Sequence, residues 1–425
     1  MRYIPNSDKD RRAMLPALGR TSIEELFRDV PREVRLKNEP ALPPPLSEPE
    51  LMDEMKALSS ASSLSSSFLG GGCYEHFIPS AVKHLIGRSE FYTAYTPYQA
   101  EVSQGVLQAI YEYQTMICEL TGMDAANASM YDGATALAEA ALLAARVTGR
   151  KEVVVSAAAH PDHRGVLRTY AKGAGLAVKE APYDGASGLT LTPHPPSLSP
   201  QTACVILQQP NFFGCVEEIE GLAKKVHAAG GLFIVSADPI SLGLLKAPGE
   251  YGADLVVGEG QSLGNPRSFG GPGLGIFAVK KDLARQIPGR LSGMTVDLEG
   301  RRGFCLTLQT REQHIRRERA SSNICSNEAL AALAAAAYLA VMGKGGLRKV
   351  AELCLQKSNY LKKKLGKKVA FLAPTFKEFV VKSDKNIGLS LERFYPELRG
   401  HRLLCVTELA QKEALDSAAE ALLSK

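Results

Sequence analysis

The chain has 425 residues, 45% hydrophobic and 22% charged, which excludes global disorder and allows one large domain with a smaller one attached. The formal net charge of +5 is unevenly spread, because residues 331–425 carry 17 Lys and Arg against 9 Asp and Glu. The Lys362, Lys363, Lys364, Lys367 and Lys368 cluster reads either as a solvated helix end or as a docking surface for an acidic partner; with no aromatic residues between these lysines and no binding motif, nucleic acid is not expected.

The start, MRYIPNSDKDRRAML, lacks the apolar core of a secretion signal, and the longest apolar run, Ala329 to Met342, is too short to span a bilayer. The eight cysteines show no CxxC spacing. Reduced thiols in a cytoplasmic protein are expected, with no membrane span and no metal site.

Residues 1–90 read as an arm of short helices and extended segments. Ser7–Asp10 and Thr21–Glu24 fit helix-starting boxes, and Ser47 to Glu50 opens another helix. The prolines of residues 40–49 require extended chain, and the Ser- and Gly-rich residues 59–72 read as a loop. YTAYTPYQAEVSQ (92–104) mixes tyrosines with polar groups, as a pocket-lining loop or a tyrosine-anchored surface turn would. A helix follows, with Val106, Ile110, Tyr113 and Ile117 on one face.

From residue 130, strands and helices alternate. Asp132 to Thr135 opens a helix, and apolar strands are expected at 153–158, 176–183, 203–210, 232–239, 254–260 and 275–279, with a crossover helix over 217–231. This is an α/β, mainly parallel layout, with ligands at the carboxyl ends of the strands. Residues 91–328 form the large domain, and 329–425, with strands at 369–374, 378–383 and 402–408, a small α+β domain.

Asp254–Gly275, DLVVGEGQSLGNPRSFGGPGLG, has the form of the turn that anchors pyridoxal phosphate (PLP), where a lysine would hold the cofactor aldehyde. Here no lysine lies between Lys246 and Lys280, and the polar residues are Gln261 and Ser262. Three other features stand where a PLP pocket would need them. The helix start at Thr135 could cradle a phosphate, as any capped helix could. His160, after a strand, could stack on a pyridine ring or be structural. Asp238, at another strand end, could pair with a pyridinium nitrogen or serve a turn. HPDHRG (160–165) makes a poor metal site, and GGPGLG (270–275) lacks the GK[ST] of a P-loop and precedes a strand.

YIPNSDKDRRAML, AYTPYQAEVSQGVLQAIYEYQTMICELTGMDAANASMYDGATALAEA (94–140) and QTREQHIRRERASSNIC (309–325) resemble the glycine-cleavage P-protein, the PLP-dependent glycine decarboxylase, over nearly the whole chain. In length the chain resembles the half-size form, in which two related chains replace one polypeptide. The resemblance implies a PLP-dependent transferase-like fold (fold type I) and places Gln261 at the Schiff-base lysine position, as in the lysine-lacking α chain. It implies that a lysine-bearing β subunit binds PLP, that glycine is decarboxylated with release of CO2, and that the aminomethyl group passes to the lipoyl group of H-protein, in an α2β2 assembly. This chain would have no catalytic residue of its own. Tyr95, Thr96, Tyr98, Gln99 and Glu101 would line the substrate site or channel at the partner interface, and Thr135, His160, Asp238 and Gln261 would outline a degenerate cofactor pocket. The alternative is a non-catalytic scaffold that stabilises the β subunit and docks H-protein. The serine-rich patch at 59–67 departs from the family pattern.

Overall fold

The protein is described by a computed structural model covering residues 5–61, 67–191, 198–324 and 326–424. It divides into two compact units, Met1–Leu64 and Ser65–Lys425.

In the first unit, α1 (Asp8–Ala17) starts at the expected box: the Ser7 N–H donates to Asp10 at 2.8 Å, and the Asp10 N–H donates to the Ser7 hydroxyl at 3.3 Å. The second box closes one residue later than expected, with Thr21 donating to Glu25, and its helix is only the 3₁₀ turn Glu24–Phe27. Ser47 opens α2 (Glu48–Ala61), and its N–H donates to Glu50 at 2.8 Å. Part of the serine-rich loop, residues 62–66, lies outside the described residues.

The second unit begins with α3 (Ser80–Ile86), α4 (Ser89–Tyr92) and α5 (Gln104–Thr121). Then come β1 (Ala125–Ala126), α6 (Gly133–Thr148), β2 (Glu152–Ser156), α7 (Pro161–Ala174), β3 (Ala177–Ala181), β4 (Thr202–Gln209), α8 (Leu222–Ala228), β5 (Leu232–Ala237), β6 (Leu255–Glu259) and β7 (Gly275–Val279). They form one seven-stranded sheet in the order β1-β7-β6-β5-β4-β2-β3. β2 to β6 run parallel, and β7 pairs antiparallel with both β6 and β1. All carboxyl ends of the parallel strands therefore lie at one edge.

The strand period of two divides this sheet between two cores. Val154, Val205, Leu207, Phe233, Val235, Val256 and Ile276 meet α5, α8 and the Ala-rich helix described next. Their alternates Val153, Val155, Cys204, Ile206, Ile234, Leu255 and Val257 meet α6 and α7. Burying each large apolar side chain of these layers contributes about 1.5–3 kcal/mol, and strands covered on both faces explain why the sequence reads as unbroken apolar runs.

The expected 217–231 helix shortens to α8 because the Glu217 carboxylate is held earlier, accepting from Thr190 and from Asn211 Nδ2 at 2.7 Å. A hairpin, β8 (Leu291–Val296) and β9 (Arg302–Thr307), escapes the apolar-run criterion because much of it is exposed. α9 (Gln313–Arg316) and α10 (Ala329–Leu365) follow. Ala329–Lys368 is long and apolar enough to cross a membrane by composition, but Gly343 (φ 59°, ψ −178°) breaks α10 and residues Ala331–Tyr338 pack into the first core. The C-terminal region forms a three-stranded antiparallel sheet, β10 (Glu378–Lys382), β11 (Leu389–Ser390) and β12 (His401–Cys405), in the order β10-β12-β11, with α11 (Lys412–Leu423) packed against it. Of the strand expected at 369–374, only a bridge from Val369 to Val381 forms.

Candidate functional site

The four residues expected to outline a pocket all follow carboxyl ends or the matching helix start: His160 after β2, Asp238 after β5, Gln261 after β6 and Thr135 in the first turn of α6. Residues 68–78, which the sequence placed in the arm, link three of them: Gly71 bonds His160, Tyr74 bonds Gln261, and the Tyr74 ring meets Lys377, the partner of Asp238. Phe68 accepts from the Cys405 N–H at 2.9 Å, and Gly71 takes φ +81°, so the segment turns in against the sheet edge. Glycine is required here, because a Cβ on Gly70 would collide with the Glu378 carboxylate and Cys405.

Gln261 is buried. Its side-chain amide donates to the carbonyls of Tyr74 (3.0 Å) and Asn265 (2.7 Å), and its oxygen accepts from the Tyr74 N–H at 2.9 Å. The amide thus pairs with an extended backbone much as a strand neighbour would. At the start of α6, the Asp132 carboxylate accepts from the Thr135 N–H at 2.7 Å, and Glu259 Oε2 accepts from the Gly133 N–H at 2.9 Å. Glu259 Oε1 accepts two further N–H groups, from Gln261 (2.9 Å) and Leu274 (2.8 Å). Burial holds the Glu259 carboxyl above its usual range, against the pull of those three N–H bonds.

Asp238 pairs with Lys377, whose ammonium lies 2.8 Å from Oδ2 and is 1% exposed. The same ammonium sits 3.6 Å from the centre of the Tyr74 ring and 3.3 Å from His76 Nε2. Burial opposes the charge on Lys377, but Asp238 offsets it and the ammonium is held above its ordinary value. The Tyr74 hydroxyl donates to Glu378 Oε2 at 2.7 Å, and the Gly71 N–H donates to Oε1 at 2.7 Å. Burial pushes Glu378 up to about 7.

His76 continues the network, with Nδ1 2.7 Å from the Glu408 carboxylate, which also accepts from the Phe77 N–H at 2.6 Å. Burial works against the Glu408 charge, yet these bonds hold it down at about 2. His76, Cys354 and Glu408 bring possible metal-ligand atoms within 4.8 Å of one another, but the Lys377 ammonium on His76 Nε2 would repel a cation. His160 Nδ1 accepts from the Asp162 N–H at 3.1 Å, which makes Nε2 the donor to the Gly71 carbonyl at 2.7 Å. Its ring stacks on His163, with centroids 4.5 Å apart.

These groups do not fit PLP. A phosphate at α6 would meet Glu259 and Asp132, a pyridinium would meet Lys377 at Asp238, and His160 already bonds Gly71. Lys377, the lysine in the pocket, stands at the carboxylate that would hold the ring nitrogen, and not at position 261. Sequence reasoning missed Glu259, Lys377 and Tyr74. A signal existed: Glu259 ends an apolar strand and Lys377–Glu378 opens another, and charges there need buried partners.

The residues expected at a partner interface form a separate group. Tyr95 is 78% exposed, and Gln99 and Glu101 are also exposed. The Thr96 hydroxyl is buried without a hydrogen bond. The Tyr98 hydroxyl accepts from Arg290 at 3.3 Å, and its ring lies edge-on to His314 at 5.8 Å. Arg290 is buried and also donates to Ser326 (3.1 Å) and Asn327 (3.4 Å), and Gln104 ties the loop to β9 through Phe304. Among the described residues, Tyr98 shares no hydrogen bond or ring contact with the four pocket residues.

The family model described as "Glycine cleavage system P-protein" matches residues 1–420. A relative from Desulforamulus reducens, named probable glycine dehydrogenase (decarboxylating) subunit 1, is 52% identical over 99% of each chain. A solved glycine decarboxylase (P-protein) of the glycine cleavage system, in inhibitor-bound form, is 45% identical with a TM-score of 0.86 over 99% of each chain. A sphingosine-1-phosphate lyase from Burkholderia pseudomallei K96243, 15% identical, shares the fold with a TM-score of 0.62 over 91% of this chain and 92% of its own. The α/β architecture is that of fold type I PLP enzymes.

Proposed function

The chain belongs to the glycine cleavage system P-protein family, and on that premise we propose that it is the lysine-lacking α subunit of a two-chain glycine decarboxylase. The observation that carries this is Gln261: the position of the anchoring lysine holds an amide bonded to Tyr74 and Asn265. The chemistry then resides in a lysine-bearing β subunit, which binds PLP, and this chain completes that subunit's site. Together they decarboxylate glycine and pass the aminomethyl group to the lipoyl arm of H-protein, as an α2β2 assembly in the cytoplasm.

Tyr95, Thr96, Tyr98, Gln99 and Glu101 are the residues assigned to the partner's substrate site and channel. The exposure of Tyr95, Tyr98, Gln99 and Glu101 supports the assignment, as does the polar set behind them, where buried Arg290 fixes the Tyr98 hydroxyl. Other large apolar groups are fully exposed, including Phe269 and Leu298, as a surface covered by a second chain would have. The division into an arm (1–90), a large domain (91–328) and a small domain (329–425) follows the same reading. A scaffold role rests on the basic C-terminal surface, where Lys367, Lys368, Lys382, Arg399 and Arg402 line one open recess suited to an acidic partner such as H-protein.

The test mixes the purified chain with its lysine-bearing partner and follows glycine–bicarbonate exchange. Exchange should require both chains; activity of the partner alone, unchanged on adding this chain, would refute the proposal.

A further inference from the structure

Two contacts that a PLP molecule would take up in this pocket, one at the helix start and one at Asp238, are made by protein groups of matching charge. A phosphate at a helix start needs N–H donors, and the Gly133 N–H already meets the Glu259 carboxylate at 2.9 Å. A pyridinium nitrogen needs a carboxylate, and Asp238 already meets the Lys377 ammonium at 2.8 Å. An aromatic ring lies beside that ammonium, contributed by Tyr74, whose backbone is clasped by Gln261.

We propose that Glu259, Lys377 and Tyr74 form a built-in substitute for the cofactor, which closes this pocket to PLP independently of the missing lysine. The distinction matters chemically. A pocket lacking only its lysine would still offer a phosphate cradle and a pyridinium partner, and would bind PLP without a covalent bond. Here the phosphate of PLP would have to displace a carboxylate that accepts three backbone N–H bonds, and would face Asp132 as well. Its ring nitrogen would have to displace an ammonium that is 1% exposed. The first replacement strips a buried carboxylate of a backbone N–H bond, and the second leaves the buried Lys377 ammonium without its counter-charge, so each is costly.

The segment that supplies Tyr74 is held at several points: Gly71 to Glu378 and His160, Tyr74 to Gln261 and Glu378, and His76 and Phe77 to Glu408. It packs as part of the fold. An open recess of about 600 Å³ borders it, lined by Tyr74, Glu75, His76, Asn265, Arg267 and Phe269.

Two measurements on the full chain decide the matter. In the first, Gln261→Lys is incubated with excess PLP, freed of unbound ligand and scanned, then treated with borohydride. No band near roughly 420 nm and no adduct at position 261 are expected; a stable aldimine band in this single variant would overturn the proposal. In the second, melting of wild type and of Glu259→Gln/Lys377→Met is followed with and without PLP. PLP should leave the wild-type midpoint unmoved and raise that of the double variant; a saturable rise in the wild type would overturn the proposal even if neither variant folds. Because cofactor binding by this chain alone is read directly, neither result depends on whether the partner carries the chemistry.

Discussion

Replacing Lys377 with Met removes the ammonium around which the closed pocket is arranged and keeps a side chain of similar length. Asp238 then loses its partner at 2.8 Å, and Tyr74 loses a cation 3.6 Å from its ring centre. Leaving one member of a buried pair uncompensated costs about 3–5 kcal/mol. A desolvated cation–π contact adds up to ~2 kcal/mol. Two features pull the total down: the Asp238 side chain is 14% exposed, and His76, which Lys377 helps keep neutral, becomes free to take a proton. The expected loss is therefore about 3 kcal/mol. Urea unfolding at neutral pH reads it, followed by far-UV circular dichroism and by the tyrosines, since the chain has no Trp. Asp238→Asn combined with Lys377→Met should cost less than the two single losses added, by roughly 2 kcal/mol. A single-variant loss under about 1 kcal/mol, or strict additivity, would refute the idea that this pair is a tightly coupled buried contact.

Glu378 gives a pH test. Its folded carboxyl is pushed from 4.5 to about 7, so its contribution is complete below pH 4.5 and is lost as pH rises through 7. The lost amount is on the order of 3 kcal/mol; Glu378→Gln should flatten the stability profile over that window, and an unchanged slope would count against the assignment. Glu408 acts in the opposite sense: held at about 2, it stabilises above 4.5 and is lost as pH falls through 2, so Glu408→Gln should blunt the acid limb of unfolding. Gly70→Ala places a methyl group against the Glu378 carboxylate and Cys405. Faster proteolytic cleavage within residues 68–78 is expected, with the seven-stranded sheet intact by circular dichroism; wild-type resistance would show that the segment is not tightly seated. Finally, Tyr95→Ala and Tyr98→Phe should keep assembly with the partner while lowering exchange about 10- to 100-fold, as expected for removal of a group that positions substrate. Retained turnover in both would favour the scaffold reading.

The layered α/β core was legible in the sequence because its cause is local. Runs such as VVVS and LFIVSA are apolar on both pleat faces, and the segments between them carry helical periodicity. Those runs predict buried strands, and the structure gives them alternating partners in two cores. Where a tertiary bond competes with local preference, the sequence reading slips: Glu217, held by Thr190 and Asn211, delays a helix that its own segment favours.

The pocket divides in the same way. The sequence by itself determined that position 261 carries no lysine, and that Gln261, Asp238, His160 and Thr135 follow strand ends or start a helix, since each is fixed by its place in one short segment. Only the tertiary structure decided what fills the space between them. Glu259 and Lys377 are ordinary charged residues until the fold removes them from water. A buried charge must then find a partner whatever its distance along the chain, and Lys377 finds Asp238 while Glu259 finds the first N–H of α6. Tyr74 belongs to a segment that the sequence placed in an arm of short helices and extended segments, and it is drawn in because Gln261 and Glu378 offer its backbone and hydroxyl the bonds that water would otherwise supply.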